Sequence, residues 1–292
     1  MTDRTVIDAP SNLGLRPPAP GTVPGCYKLA GALRDQGIVA RLGAADGGCV
    51  TPPRYDRTGW QEGDGVFNAA AMAAYSVRLA DRVGALLDDG RFPVVLGGDC
   101  SIDLGTALAL ARRGRHGMVY VDGHSDFRHP GNSSGVGAAG GEAAALVTGR
   151  GQDDLTDLEG RKPYILDSDM VIAGIRDYDD DLEELAELKI PAWTTTRLRE
   201  AGGEAAGTIL GHLGGTRGFW VHLDVDALDP EVMPAVDSPD PGGLTHGELR
   251  ALLAPLLADP GCLGLTVAIF DPDLDQDGRH AAALTDTLVS CF

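Results

Sequence analysis

Three short stretches of this chain carry residues able to do chemistry together. They read Gly97-Gly98-Asp99-Cys100-Ser101, Asp122-Gly123-His124-Ser125-Asp126 and His222-Leu223-Asp224-Val225-Asp226-Ala227-Leu228-Asp229-Pro230. In an extended segment residues i, i+2 and i+4 point the same way. Asp122, His124 and Asp126 can therefore converge on one point, and so can Asp224 and Asp226. Carboxylates and an imidazole gathered among apolar strands repel one another and lose solvation, and bound cations remove that penalty. Mixed carboxylate and imidazole ligation suits Mn²⁺, with Zn²⁺ or Fe²⁺ as alternatives. Two such ions sharing a hydroxide would make a nucleophile at neutral pH. Taken singly, the stretch at 122–126 reads more readily as a capped turn and the one at 224–230 as a calcium-like or simply acidic loop; only the set points to a two-metal centre.

Each stretch follows a short, continuously apolar run. Candidate strands are residues 5–7, 93–96, 118–121, 170–175, 219–223 and 265–270, and continuous apolarity marks strands buried on both faces of a parallel sheet. Candidate helices are 69–87, 101–113, 141–148, 182–188, 246–257 and 281–289, with Thr245 and Glu248 as a capping box for the fifth. The alternation predicts one α/β domain over residues 1–292, a three-layer α/β/α arrangement around a mainly parallel sheet. Residues 16–21 and 46–53 read as loops. In such sheets sites lie beyond the carboxyl ends of the strands, where all three stretches fall.

The bulk numbers narrow the class. A net charge of -19 repels phosphate backbones and argues against nucleic acid as partner. The apolar runs fall short of a membrane span, and the first residues show no signal peptide, so a soluble, cytoplasmic protein with no membrane partner is expected. Five cysteines, an odd number without a CxxC pair, argue against a disulfide framework and against a cysteine-only zinc site.

The three motifs resemble those of the ureohydrolase family, which includes arginases, agmatinases and formiminoglutamases and usually shows GGDHS, DAHxD and SxDxDxxDP in this order. Ile7-Asp8-Ala9-Pro10 resembles the family's opening strand and loop, and Gly174-Ile175-Arg176-Asp177-Tyr178-Asp179 its IGxRDxD segment. The resemblance covers nearly the whole chain. It implies an arginase-like fold, a trimer or hexamer, and hydrolysis of a C–N bond in a small guanidino substrate by a hydroxide shared between two metals, releasing urea or a urea derivative. By motif position, Asp122 and Asp224 would bridge both metals, Asp126 would bind the first and accept a proton, and His124 and Asp226 would complete the second. Cys100 takes the remaining ligand place, Asp179 would meet a substrate amino group, and Ser238 is a further substrate-binding candidate.

Four departures from the pattern matter. Cys100 stands where the family has a metal-binding histidine; as a thiolate it favours Zn²⁺ or Fe²⁺ over Mn²⁺, and otherwise it is an inert buried thiol. Arginases carry a proton-shuttling histidine after DxHxD; the matching place here is near Ala139, leaving Glu142 as a substitute acid or merely a helix N-terminal residue. His129 is a weaker candidate, better read as a loop residue. Ile269 sits where members acting on arginine have a glutamate, which points to a modified guanidine, a formimino compound or another amidine. His222 stands where the family usually has Ser; it would orient ligands and support catalysis, or be a structural histidine. A catalytically impaired member serving as a binding or regulatory subunit is the competing reading, and deacetylase-like hydrolysis a weaker one.

Overall fold

The computed structural model describes residues 3–292. Its strands are β1 (Arg4–Asp8), β2 (Ala45–Cys49), β3 (Phe92–Leu96), β4 (Gly117–Val121), β5 (Met170–Ile175), β6 (Ala192–Thr194), β7 (Phe219–Asp224) and β8 (Cys262–Ala268). They form one eight-stranded sheet in the order β2-β1-β3-β8-β7-β4-β5-β6. Every neighbouring pair is parallel, and helices flank the sheet, which is the α/β/α arrangement expected. In β3, β4, β5 and β7 every residue is buried, which is why these strands read as unbroken apolar runs.

The two edge strands were not anticipated. β2 is Ala-Asp-Gly-Gly-Cys with four of its five residues exposed, so no apolar run announces it, and it takes up the start of the stretch expected to be loop. The short β6 follows Pro191 at the other edge. The last strand ends at Ala268, two residues early, because Ile269 turns to φ 75°. Five of the six expected helices form close to their expected bounds, as Ala69–Asp88, Asp103–Ala111, Leu182–Leu188, His246–Ala258 and Arg279–Val289. The sixth shrinks to Ala143–Val147 behind a tight turn. Thr245 and Glu248 make their capping box, with Glu248 N donating to Thr245 Oγ1 (3.2 Å) and Thr245 N to Glu248 Oε2 (2.8 Å). Helices Leu29–Asp35, Thr195–Ala201 and Ala205–Leu213 were not foreseen. Among the described residues no helix is long and apolar enough to cross a membrane.

The four central strands β3, β8, β7 and β4 carry the three chemical stretches, plus Ile269 after β8, to one edge of the sheet. The turn after β3 packs against the β1 loop so closely that a Cβ on Gly98 would overlap the carbonyl oxygen of Ser11. Asp99 fastens the same two loops: its carboxylate accepts from Gly14 N (3.1 Å), Ser11 Oγ (3.4 Å) and Ser101 N (2.9 Å). Gly98→Ala is expected to cost at least about 3 kcal/mol, because backbone must move to admit the methyl group. Loss of soluble protein or a clearly lowered melting temperature is the expected readout, and an unchanged melting curve would contradict this packing.

Candidate metal centre and active site

The side chains that end the central strands form two groups. Cys100, Asp122, His222 and Asp224 offer donor atoms all within 4.8 Å of one another, and so do Asp122, His124 and Asp226. Asp122 belongs to both. The first group is wholly buried; in the second, only His124 is partly exposed. Local hydrogen bonds shape each stretch. Asp122 Oδ1 accepts from His124 N (2.7 Å), and Asp224 Oδ1 accepts from Asp226 N (2.7 Å). Asp224 Oδ2 accepts from Cys100 Sγ (2.9 Å). His124 Nδ1 lies 3.0 Å from Asp226 Oδ2, and its Nε2 lies 3.4 Å from Asp240 Oδ2.

Above these groups opens a cavity of about 710 Å³, lined by eight aspartates and two arginines among other residues. Cys100, His124, Asp126, Asp224 and Asp226 reach it, as do Asp179, Ser238 and Ile269. Asp122 and His222 lie beneath this floor, about 1% and 0% exposed. Asp126 joins neither group. Its backbone turns to φ 48° and its Oδ2 accepts from the Tyr120 hydroxyl (2.8 Å). Asp179 is held by Ser125 N (2.8 Å) and Asp181 N (3.0 Å). Glu142 lies off the cavity: it is buried, and its Oε1 accepts from Gly137 N at 2.6 Å. That places it to brace the 137–142 turn rather than to pass a proton into the cavity. His129 is likewise turned aside, its Nε2 lying 2.8 Å from Glu184.

The electrostatics agree with cation binding. Burial, then the neighbouring carboxylates, push Asp122 and Asp224 well above the usual carboxylate range. Burial raises Asp126 to about 6. Burial works against charge on His124, but the carboxylates of Asp226, Asp126 and Asp240 together outweigh it and lift the imidazole to about 9. The Cys100 thiol is driven far up by burial and by Asp224. Asp122 Oδ2, Asp103 Oδ2 and both ring nitrogens of His222 are buried without a hydrogen-bond partner. Each such orphan costs about 1–3 kcal/mol. Divalent cations between these donors would relieve both the repulsion and the unmet bonding, so the residues present fit a metal centre.

Several participants escaped the sequence reading. Arg176 is buried, and its Nη2 donates to the carbonyl oxygens of Asp226 (2.9 Å) and Asp240 (2.6 Å), tying the loop after β7 to the following one. Tyr120 precedes Asp122 by two and so shares its face of β4, a signal that was available. Asp237 lines the cavity, and burial together with Asp226, Asp271 and Asp99 raises it to about 6.

A parallel α/β sheet that gathers carboxylates, imidazoles and a thiol at its carboxyl edge, beneath an acidic cavity, defines an arginase-like hydrolase fold. The model of the Arginase family matches residues 30–292. An arginase of Brevibacillus brevis is 32% identical over 220 residues, covering 74% of this chain and 73% of that protein. An arginase of Bacillus subtilis (strain 168) is 30% identical over 231 residues, covering 76% of this chain and 77% of that protein. The solved arginase from Bacillus caldovelox superposes with a TM-score of 0.89 at 28% identity, covering 100% of this chain and 98% of that one. The chain belongs to the arginase family, the ureohydrolases.

Proposed function

We propose that this protein hydrolyses a C–N bond of a small guanidino or related amidine compound, releasing an amine together with urea or a urea derivative from a guanidine, or the corresponding amide from an amidine. The observation that carries the reading is the pair of donor groups sharing Asp122 directly beneath an acid-lined cavity. Divalent ions held there, with Mn²⁺ suited to the oxygen-rich outer group and Zn²⁺ or Fe²⁺ to the one containing Cys100, would supply Lewis acidity and a nucleophile at neutral pH.

The chain's own residues do the rest. Asp126 faces the cavity and is oriented by the Tyr120 hydroxyl. That suits it to take a proton from attacking water and return it to the departing amine. Asp179 and Ser238, on the cavity wall, are placed to meet the substrate's far end. The acids crowding this cavity favour a cationic ligand.

Ile269 favours one part of this reading over another. It lines the cavity at the position where relatives acting on arginine would have a carboxylate. An alkyl group there leaves a guanidinium ion without its anion, which disfavours unmodified arginine and favours a substituted guanidine, a formimino compound or another amidine. Asp237, on the same cavity, can supply a displaced carboxylate for that cation. Asp237→Asn is therefore expected to raise KM for a cationic substrate about tenfold or more, the loss of one charged hydrogen bond, with kcat little changed. An unaltered KM would remove Asp237 from the substrate's surroundings.

The deciding experiment is a panel of guanidino and formimino compounds assayed for urea, ammonia and formamide release on protein loaded separately with Mn²⁺, Zn²⁺ and Fe²⁺. Turnover of one class names the substrate. Full metal occupancy without turnover on any compound would point instead to a binding or regulatory subunit.

A further inference from the structure

We infer that His222, held by Asp103, is itself a ligand of the deeper cation beside Cys100, Asp122 and Asp224, filling the place that Asp126 does not take. The inference rests on the two-cation reading above and deepens it. His222 is fully buried and never reaches the cavity, so it is badly placed for proton exchange with a substrate. It belongs instead to the group with Cys100, Asp122 and Asp224.

Two contacts fix the ring in that group. Asp103, the first residue of helix Asp103–Ala111, is fully buried and brings its Oδ2 to 2.6 Å from His222 Nδ1, although the pair lacks hydrogen-bond alignment. The other oxygen of Asp103 is anchored by Thr106 Oγ1 (3.0 Å). A carboxylate on Nδ1 selects the tautomer that leaves the Nε2 lone pair free, the usual support of a metal-bound histidine. Nε2 has no hydrogen-bond partner, which is costly for a buried imidazole nitrogen. Tyr120, paired in register with His222 across β4 and β7, stacks on the ring with centroids 4.2 Å apart and planes 23° apart.

The same tyrosine engages Asp126. Its hydroxyl donates to Asp126 Oδ2, and Asp126 lies outside the four-residue group in which His222 lies inside. The deeper position is thus built from one sulfur, one imidazole nitrogen and two carboxylates. Such a donor set selects Zn²⁺, Fe²⁺ or Co²⁺ over Mn²⁺. The outer position, with Asp122, His124 and Asp226, has no sulfur.

Cobalt tests this in the intact protein, independently of any variant's folding. The chelated full chain is titrated with Co²⁺, bound ions are counted by mass spectrometry, and paramagnetically shifted, solvent-exchangeable imidazole N–H signals are recorded by proton NMR. Two bound ions with two shifted N–H signals, from His124 and His222, are expected. Asp103→Asn should move only the second signal, speed its exchange with water, and weaken binding of one ion about 10- to 100-fold. Two bound ions with a single shifted imidazole, unmoved by Asp103→Asn, would overturn the His222 assignment and leave the two-cation reading standing. A chain that takes up no Co²⁺ would overturn both.

Discussion

Asp224→Ala is expected to lower turnover by at least about 10³-fold, a loss no smaller than that from removing one preorganised electrostatic contact in an active site. It should also reduce bound metal from two ions per chain to fewer than one. Asp224 ends β7, and its two oxygens face different ways: Oδ1 accepts from Asp226 N, and Oδ2 from Cys100 Sγ. Removing the carboxylate takes a donor from the buried group and releases the turn that aims Asp226 at the outer one. Asp122→Ala should act alike, since Asp122 is common to both groups and holds His124 N. Asp224→Asn separates ligation from folding, because an amide oxygen still accepts from Asp226 N while the negative charge is gone. A folded Asp224→Asn with the same metal deficit supports the assignment. Near-parental turnover and two retained ions in either variant would refute the role proposed for this residue.

The parts of this site that were legible in sequence are those governed by local rules. A strand's period of two aligns Asp122 with His124 and Asp224 with Asp226, and the apolar runs before them mark strand ends, so the main donors could be gathered without coordinates. What stayed hidden depends on contacts between distant segments. Asp103 at a helix start reads as a residue favoured by the dipole; nothing local ties it to His222. Cys100 and His222 read as two unrelated departures, and only the meeting of β3, β8 and β7 puts them in one cluster. Glu142 was a reasonable acid by position, but the tight turn at 139–142 points it back at Gly137. β2 has almost no apolar content, being an exposed edge held by backbone pairing to β1. Nor does any motif announce the positive φ of Asp126 or its bond to the Tyr120 hydroxyl.

Chelation is expected to destabilise this protein, and increasingly so as pH rises. Without cations, Asp122 and Asp224 keep their protons well above the usual carboxylate range and Asp126 does so to about 6. The unfolded chain ionises these groups near pH 4, so above that pH the unfolded state binds fewer protons and the folded state progressively loses stability. His124 acts in the same direction by the opposite route. Its folded value of about 9 exceeds the ordinary value of 6.5, so its imidazolium stabilises the fold below that ordinary value and the benefit is lost as pH rises toward 9. Among the candidate ligands, Asp226 shifts in the opposite sense. Burial alone would raise it, but the His124 hydrogen bond holds it below 3.8, and its contribution changes only at still lower pH. Across the neutral range, then, the shifts of Asp122, Asp224, Asp126 and His124 all weaken the ion-free site as pH increases. Cation binding does the reverse, because it requires the deprotonated ligands and gains strength as they ionise. Melting curves with and without chelator at about pH 5.5, 7 and 8.5 should diverge steadily, the chelated protein falling while the loaded protein holds or rises. A gap that stays constant or closes toward the alkaline end would show that these buried acids do not face cations at all.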